Sequence, residues 1–310
     1  MRTRTPAPLG ILAVALLVLA AGRSGATPAP RGTPDYDPAR VGWSEVRLGG
    51  SKLFISADAT LSLRPVAGPH VVPDLLVVPS ADFTPLPPAA DLVELVYQAR
   101  GAGRASRLTL LMDPRTGAAL QRVQHDQQGK LRLRTYRFGR EGAWQRTLRP
   151  ATGAEKSLPP ARWTDVDQGL RAYPVPPGDV PVVESTGLLY LLAAASLDEP
   201  GDAIEVLVFR RRDTQVVRAE VLAPREISVR YDELWPRGAV ERRGRVRPLR
   251  LGLTALPVPG SDPEDTVEIL GLRGRLELYL DPVTRAPLQL SGSVKLLGNV
   301  TLRAQAVRPR

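Results

Sequence analysis

The chain has 310 residues, a formal charge of +10 at neutral pH and no cysteine. Without cysteine there are no disulfides, no thiol catalysis, no iron–sulfur clusters and no cysteine zinc sites. Almost all the positive charge is arginine, lysine occurring only at Lys52, Lys130, Lys156 and Lys295, and so basic a chain suits nucleic acid or the polyanions of a cell envelope.

Residues 1–26 favour the envelope. Arg2 and Arg4 precede an apolar run from Leu9 to Ala21, and the segment closes on Ser24-Gly25-Ala26. A basic start, a short apolar stretch and small residues before the cut describe a secretory signal peptide cleaved after Ala26. The run is shorter than the about 20 residues that span a bilayer. No second run approaches that length, and no cysteine follows to carry a lipid anchor. Arg2 and Arg4 are separated, so the twin-arginine signal is absent. The expectation is a periplasmic protein that is not a lipoprotein, has no transmembrane span in its mature form and meets no nucleic acid.

Residues 27–40 are proline-rich and aperiodic, a flexible lead-in. From Trp43 the pattern turns to β structure. Val46-Arg47-Leu48, Gly49-Gly50 and then residues 52–56 suggest a hairpin across a Gly-Gly turn, with a third short strand at 59–63. Four prolines make residues 79–90 a loop. Strand-like runs follow at 92–98, 107–112, 119–124, 130–138 and 143–149. In Leu131-Arg132-Leu133-Arg134-Thr135 apolar and charged residues alternate, as in a sheet with one wet face.

Residues 151–181 are proline-rich and predicted to be irregular. One segment breaks the β pattern. Residues 186–197 are apolar nearly all round and form a predicted short buried helix, with Ser185 or Thr186 as its cap. Strands are expected at 204–210, 215–222, 226–231, 249–256, 274–280, 287–294 and 299–306. Residues 237–247 are a basic loop and 257–266 an acidic one. The whole of 41–308 is expected to be a single β domain.

An internal echo links two strand pairs. Residues 108–121 (LTLLMDPRTGAALQ) and 276–289 (LELYLDPVTRAPLQ) agree at eight of fourteen positions, including Asp113/Asp281, Pro114/Pro282 and Thr116/Thr284. Asp accepts local backbone N–H bonds, Pro presets φ and Thr adds a hydroxyl, so each copy is a turn between strands. Paired Asp113 and Asp281 could instead be an acid/base dyad, but Asp in such a turn is ordinarily structural.

MDPRTGAALQ, LRTYRFGREG, TGLLYLLAAASLDEPGD and the closing LELYLDPVTRAPLQLSGSVKLLGNVTLRA occur in order over about residues 90–308. This series resembles the bacterial envelope family called domain of unknown function 3108. At fold level it resembles the lipoprotein-localisation (LolA/LolB-like) superfamily. Ala193-Ala194-Ala195 departs from the family pattern, which is more polar there. The resemblance implies an all-β fold: a curved antiparallel half-barrel with one buried short helix. It also implies a concave apolar face of the kind that holds acyl chains, an analogy of fold alone.

No catalytic motif stands out. His70 and His125 lie in unrelated contexts, and neither a G-x-S-x-G elbow nor a phosphate-binding glycine loop occurs. Asp262, Glu264, Asp265 and Glu268 fall short of a calcium loop. The expectation is therefore a non-enzymatic protein without metal or cofactor. It would bind a lipid-like or other apolar ligand, or an envelope partner, in the concave face, with Leu188, Leu191, Leu192 and Leu278 lining the site. The alternatives are an envelope hydrolase whose site is assembled from distant residues, or a structural adaptor pairing sheet edges.

Overall fold

The computed structural model describes residues 36–52, 55–101, 104–174, 177–210, 214–256, 266–294 and 297–310. The expected signal peptide, most of the lead-in and most of the acidic loop lie outside them. The first half of the chain is a meander. β1 (Trp43–Lys52), β2 (Ile55–Ala67), β3 (Asp91–Gly101), β4 (Arg104–Met112), β5 (Ala119–Asp126), β6 (Arg132–Phe138), β7 (Gly142–Arg149) and β8 (Asp165–Ala172) each pair antiparallel with the next.

The second half adds β9 (Val182–Glu184), β10 (Ala203–Phe209), β11 (Thr214–Val221), β12 (Ile227–Trp235), β13 (Gly238–Val246), β14 (Leu249–Leu256), β15 (Glu268–Ile269), β16 (Leu272–Leu280), β17 (Pro287–Val294) and β18 (Gly298–Pro309). Here the order runs β9, β10, β11, β14, β16, β17, β18 and then β1. The chain's last strand thus sits in mid-sheet. Only β9 on β10 and a two-residue contact of β12 with β18 are parallel. The result is one large, curved antiparallel sheet that does not close on itself.

Three sequence expectations are corrected. Gly49-Gly50 is not a turn: β1 runs straight through it and pairs with β2 as far as Lys52 and Ile55. Its glycines are required by neighbours across the strand. A Cβ on Gly49 would lie 1.9 Å from the Gln305 amide, and one on Gly50 2.6 Å from the Thr301 carbonyl. Residues 165–172, expected to be irregular, form β8, all of whose residues pair with β7. Its polar, mostly exposed side chains suit an edge strand and hide the β period. The basic loop is β13, hairpinned onto β12.

The helix is present but shorter than expected. A single turn at Ser185–Gly187 leads into α2 (Leu188–Ala194), after a first short helix, α1 (Gly68–Val71). The cap is neither Ser185 nor Thr186: the Glu184 carboxylate accepts from the Thr186 amide at 2.7 Å. Every α2 residue is buried, in one cluster with Leu95, Leu110 and Met112 of the first half-sheet and Leu251, Leu278 and Leu290 of the second. Among the described residues no helix is long and apolar enough to cross a membrane.

The two echoing turns build the same structure and flank α2. Asp113 Oδ1 accepts from the amides of Arg115 and Thr116, and Asp281 Oδ1 from those of Val283 and Thr284. The two turns differ where Gly117 aligns with Arg285, both at positive φ (74° and 56°). At Gly117 a Cβ would lie 2.6 Å from Leu191 of α2. Around Arg285 there is room for a side chain, whose guanidinium is buried and donates to the Leu197 carbonyl at 2.9 Å and to Asp198. Left-handed backbone is thus tolerated twice, once by omitting the side chain and once by bonding it to the segment after the helix.

Gly117→Ala is expected to cost about 2–5 kcal/mol, combining left-handed strain with overpacking against Leu191. Gly129→Ala, equally left-handed but with open space around it, is expected to cost about 1–2 kcal/mol. Urea denaturation of both variants checks this; equal costs would mean that Leu191 is not what demands the glycine.

Candidate functional site

Strands β4 to β8 present alternate side chains to the concave side, and their character changes along each strand. On β6 the inward series runs Phe138, Tyr136, Arg134, Arg132; on β4 it runs Met112, Leu110, Leu108, Ser106. The apolar end of the series packs into the cluster that buries α2. Past the helix the polar end lines a cavity of about 660 Å³, within the range of small-molecule sites.

Arginine dominates that cavity. Arg122, Arg132, Arg134, Arg149, Arg171, Arg210 and Arg273 line it, against the carboxylates of Asp167 and Glu268. Two of these arginines are buried, Arg122 at 8% and Arg134 at 6% exposure, and the Nε of each is buried without a hydrogen-bond partner. Arg122 reaches Glu184 at 3.3 Å, donates to Gln124, and holds its guanidinium 5.4 Å from the centre of the Tyr136 ring. That ion pair ties β5 to β9 at the free edge of the other half-sheet. Because Glu184 also caps the turn before α2, it links cavity and helix.

Arg134 meets Asp126 at 3.4 Å. Burial, then the neighbouring charge of Arg132, lowers the Arg134 pKa to about 10. Burial works against the Asp126 carboxylate, but hydrogen bonds from Arg132 and Ser106 and the charge of Arg134 outweigh it and hold its pKa below the usual range. Elsewhere on the wall, Arg171 donates to Gln145 at 3.1 Å, and Arg149 and Arg273 pair with Asp165 and Glu268.

Arg137, adjacent in sequence, shows what a structural arginine looks like here. It points to the other side of the sheet, equally buried, and donates to the carbonyls of Leu120, Phe138 and Leu86, pinning the proline-rich loop. Its terminal nitrogens are occupied by carbonyls, whereas Arg122 and Arg134 line the cavity, each with a buried Nε that has no partner. A tight turn from the opposite half-sheet completes the wall: Leu270-Gly271 joins β15 to β16 with φ of 53° and 83°. Two-residue hairpins of type I′ require positive φ at both central positions. A leucine there is strained, and it lines the cavity.

The cavity is equipped to hold an anion and poorly equipped for bond cleavage. Ser106 Oγ donates to Asp126 at 2.9 Å, but a carboxylate whose pKa is held down is a weak base. Neither histidine lines the wall, and His125 instead packs its ring edge against Trp163 at 6.0 Å. Among the described residues no group of His, Asp and Glu could hold a metal ion. Asp113 and Asp281 are occupied by the turn amides described above.

Leu188, Leu191, Leu192 and Leu278 lie together in the core at 0–1% exposure. None lines the arginine cavity. The arginines were missed in sequence because one wet strand looks like any other; the legible signal was arginine recurring at 122, 132, 134, 149 and 171 on the face that also carries Tyr136 and Phe138. Comparison with family models, curated proteins and solved structures finds no match to this chain.

Removing the Arg134 charge should not destabilise the free protein. Arg134→Gln is expected to leave stability unchanged or to raise it by up to about 2 kcal/mol, since Asp126 keeps Arg132, Ser106 and Gln124. The folded-state pKa lies below that of a free arginine, so the destabilisation is complete below about pH 10 and fades as pH rises through that value. Denaturation curves at pH 7 and pH 10.5 check both sign and trend.

Proposed function

We propose that this chain is a non-enzymatic protein of the bacterial cell envelope that binds an anionic ligand in the concave face of its sheet. The single observation that supports this most is the pair of buried arginines, Arg122 and Arg134, that line a cavity of about 660 Å³ together with Arg132, Arg149 and Arg171. Burying like charges together is costly, and an anionic ligand removes the cost while supplying acceptors. Charge-assisted bonds from guanidinium to phosphate or carboxylate are among the strongest available to a site.

The ligand chemistry thereby shifts from the sequence-level expectation of an apolar molecule. The apolar end of the concave face is occupied by α2, whose side chains fill it. Tyr97, Leu108 and Leu270 still give the cavity an apolar flank, which suits an anionic group carried on a hydrophobic body. The proposed periplasmic location rests on residues 1–26. The proposed kinship with the domain of unknown function 3108 family rests on the motif series and is in keeping with the curved antiparallel sheet and its buried helix.

Titration calorimetry with pyrophosphate, glycerol 3-phosphate and citrate tests the site. Binding is expected to weaken as salt rises, and Arg122→Gln and Arg134→Gln should each lower affinity at least about tenfold. Arg47→Gln, on the outer strand surface beside Glu45, should not. A fatty acid that stabilises the protein where none of the anions does would return the apolar-ligand reading. Mass spectrometry of the exported protein is expected to find Thr27 at its N-terminus; full-length chain in the cytoplasm would remove the envelope from the proposal.

A further inference from the structure

The hairpin of β12 and β13 has no role in the cavity, and its exposure is unlike that of any other strand pair. β12 is held to the body by Ile227, Val229 and Tyr231, which pack on the core, and by Asp232 and Glu233, which pair with β18. β13 pairs with β12 alone among the described strands, and all its residues but Val246 are exposed on both faces. A strand bare on both faces is not covering a core, so β13 lies outside the body of the molecule, along the outer side of β12.

Its tip is apolar. Residues 234–240 read Leu-Trp-Pro-Arg-Gly-Ala-Val, and from Trp235 to Val240 every residue is exposed. Trp235 is 44% and Val240 50% exposed. Gly238 stands opposite Trp235, so no cross-strand side chain covers the indole. Arg237 lies in the turn itself, and further arginines follow along the ribbon from four residues behind it. Arg242 and Arg230 are matched by Glu233 and Glu241. Arg237, Arg243 and Arg245 make no ion pair among the described residues and leave the ribbon net positive.

We infer that this ribbon is a docking arm for the surface of an anionic lipid bilayer. Tryptophan places an apolar ring and a polar N–H at the boundary between acyl chains and headgroups. Arg237 in the same turn, and Arg243 and Arg245 along a ribbon that lies on the surface, reach anionic headgroups along their aliphatic stems, each contributing about fivefold to surface binding. The tip has the small apolar area of a peripheral anchor and forms no groove that would select a peptide.

The test uses the chain from Thr27, which keeps every described element and removes the apolar N-terminal run. Sedimentation with vesicles of equal parts phosphatidylglycerol and phosphatidylcholine is compared with pure phosphatidylcholine. Stronger binding to the anionic vesicles is expected, with a blue shift of tryptophan emission. Trp235→Ala should keep the melting temperature, lose the shift and weaken binding at least about fivefold; Arg243→Glu with Arg245→Glu should abolish the preference for anionic vesicles. Arg134→Gln should bind vesicles as the wild type does. Equal binding to both vesicle types, no binding, or undiminished binding by Trp235→Ala overturns the inference. Loss of vesicle binding in Arg134→Gln alone would place the headgroup in the cavity and likewise overturn it.

Discussion

Leu191 of α2 lies against the bare backbone of Gly117, and much of the architecture follows from that contact. An open, curved sheet leaves an apolar concave face that water would otherwise meet. The helix covers it, but only if the turn beneath leaves room. Gly117 supplies the room, Tyr190 bonds the Pro114 carbonyl of the same turn at 3.3 Å, and the matching turn at Arg285 clamps the chain as it leaves the helix. A repeated sequence motif has thus become two different supports for one buried element, set apart by the residue at the aligned left-handed position, Gly117 or Arg285.

The same strands that pack α2 also carry the arginines. From Phe138 to Arg132 one β-strand passes from core to cavity wall in four alternate positions. Glu184 stands at the border, capping the turn before the helix with one oxygen and meeting Arg122 with the other. A ligand that drew Arg122 away from Glu184 would act directly on the start of α2, so occupancy of the cavity and order at the helix entrance are physically coupled.

Much of the fold was legible because period-two alternation survives wherever one face is wet. β3 to β7, β10, β14, β16, β17 and β18 fall within a few residues of their expected positions, and the all-apolar run marked α2. The failures share a cause. β8 is mostly exposed and β13 almost wholly so, so neither has an apolar side to set the period. Gly49 and Gly50 looked like a turn because glycine usually is one, whereas here close approach from Gln305 and Thr301 demanded it. The cavity was illegible for a related reason. Alternating arginine and leucine announces a wet face without saying whether that face looks out to solvent or into a hollow, and only the sheet's curvature decides.

The position of β18 has a consequence for how the chain can be made. It pairs with β17 through its first half and with β1 through its second, and the Arg310 amide closes onto the Gly42 carbonyl at 3.1 Å. β18, which follows every other described strand in the chain, is therefore the seam joining the two half-sheets, and until it emerges β1 has no neighbour on that side. The first half can form its meander early, but the second cannot be sewn to it while residues 298–309 are missing. Long-range pairing of this kind is slow and leaves strand edges open in the interim. A chain built this way stays unlatched until residues 298–309 have been made, the condition in which a polypeptide can still be threaded through a narrow pore.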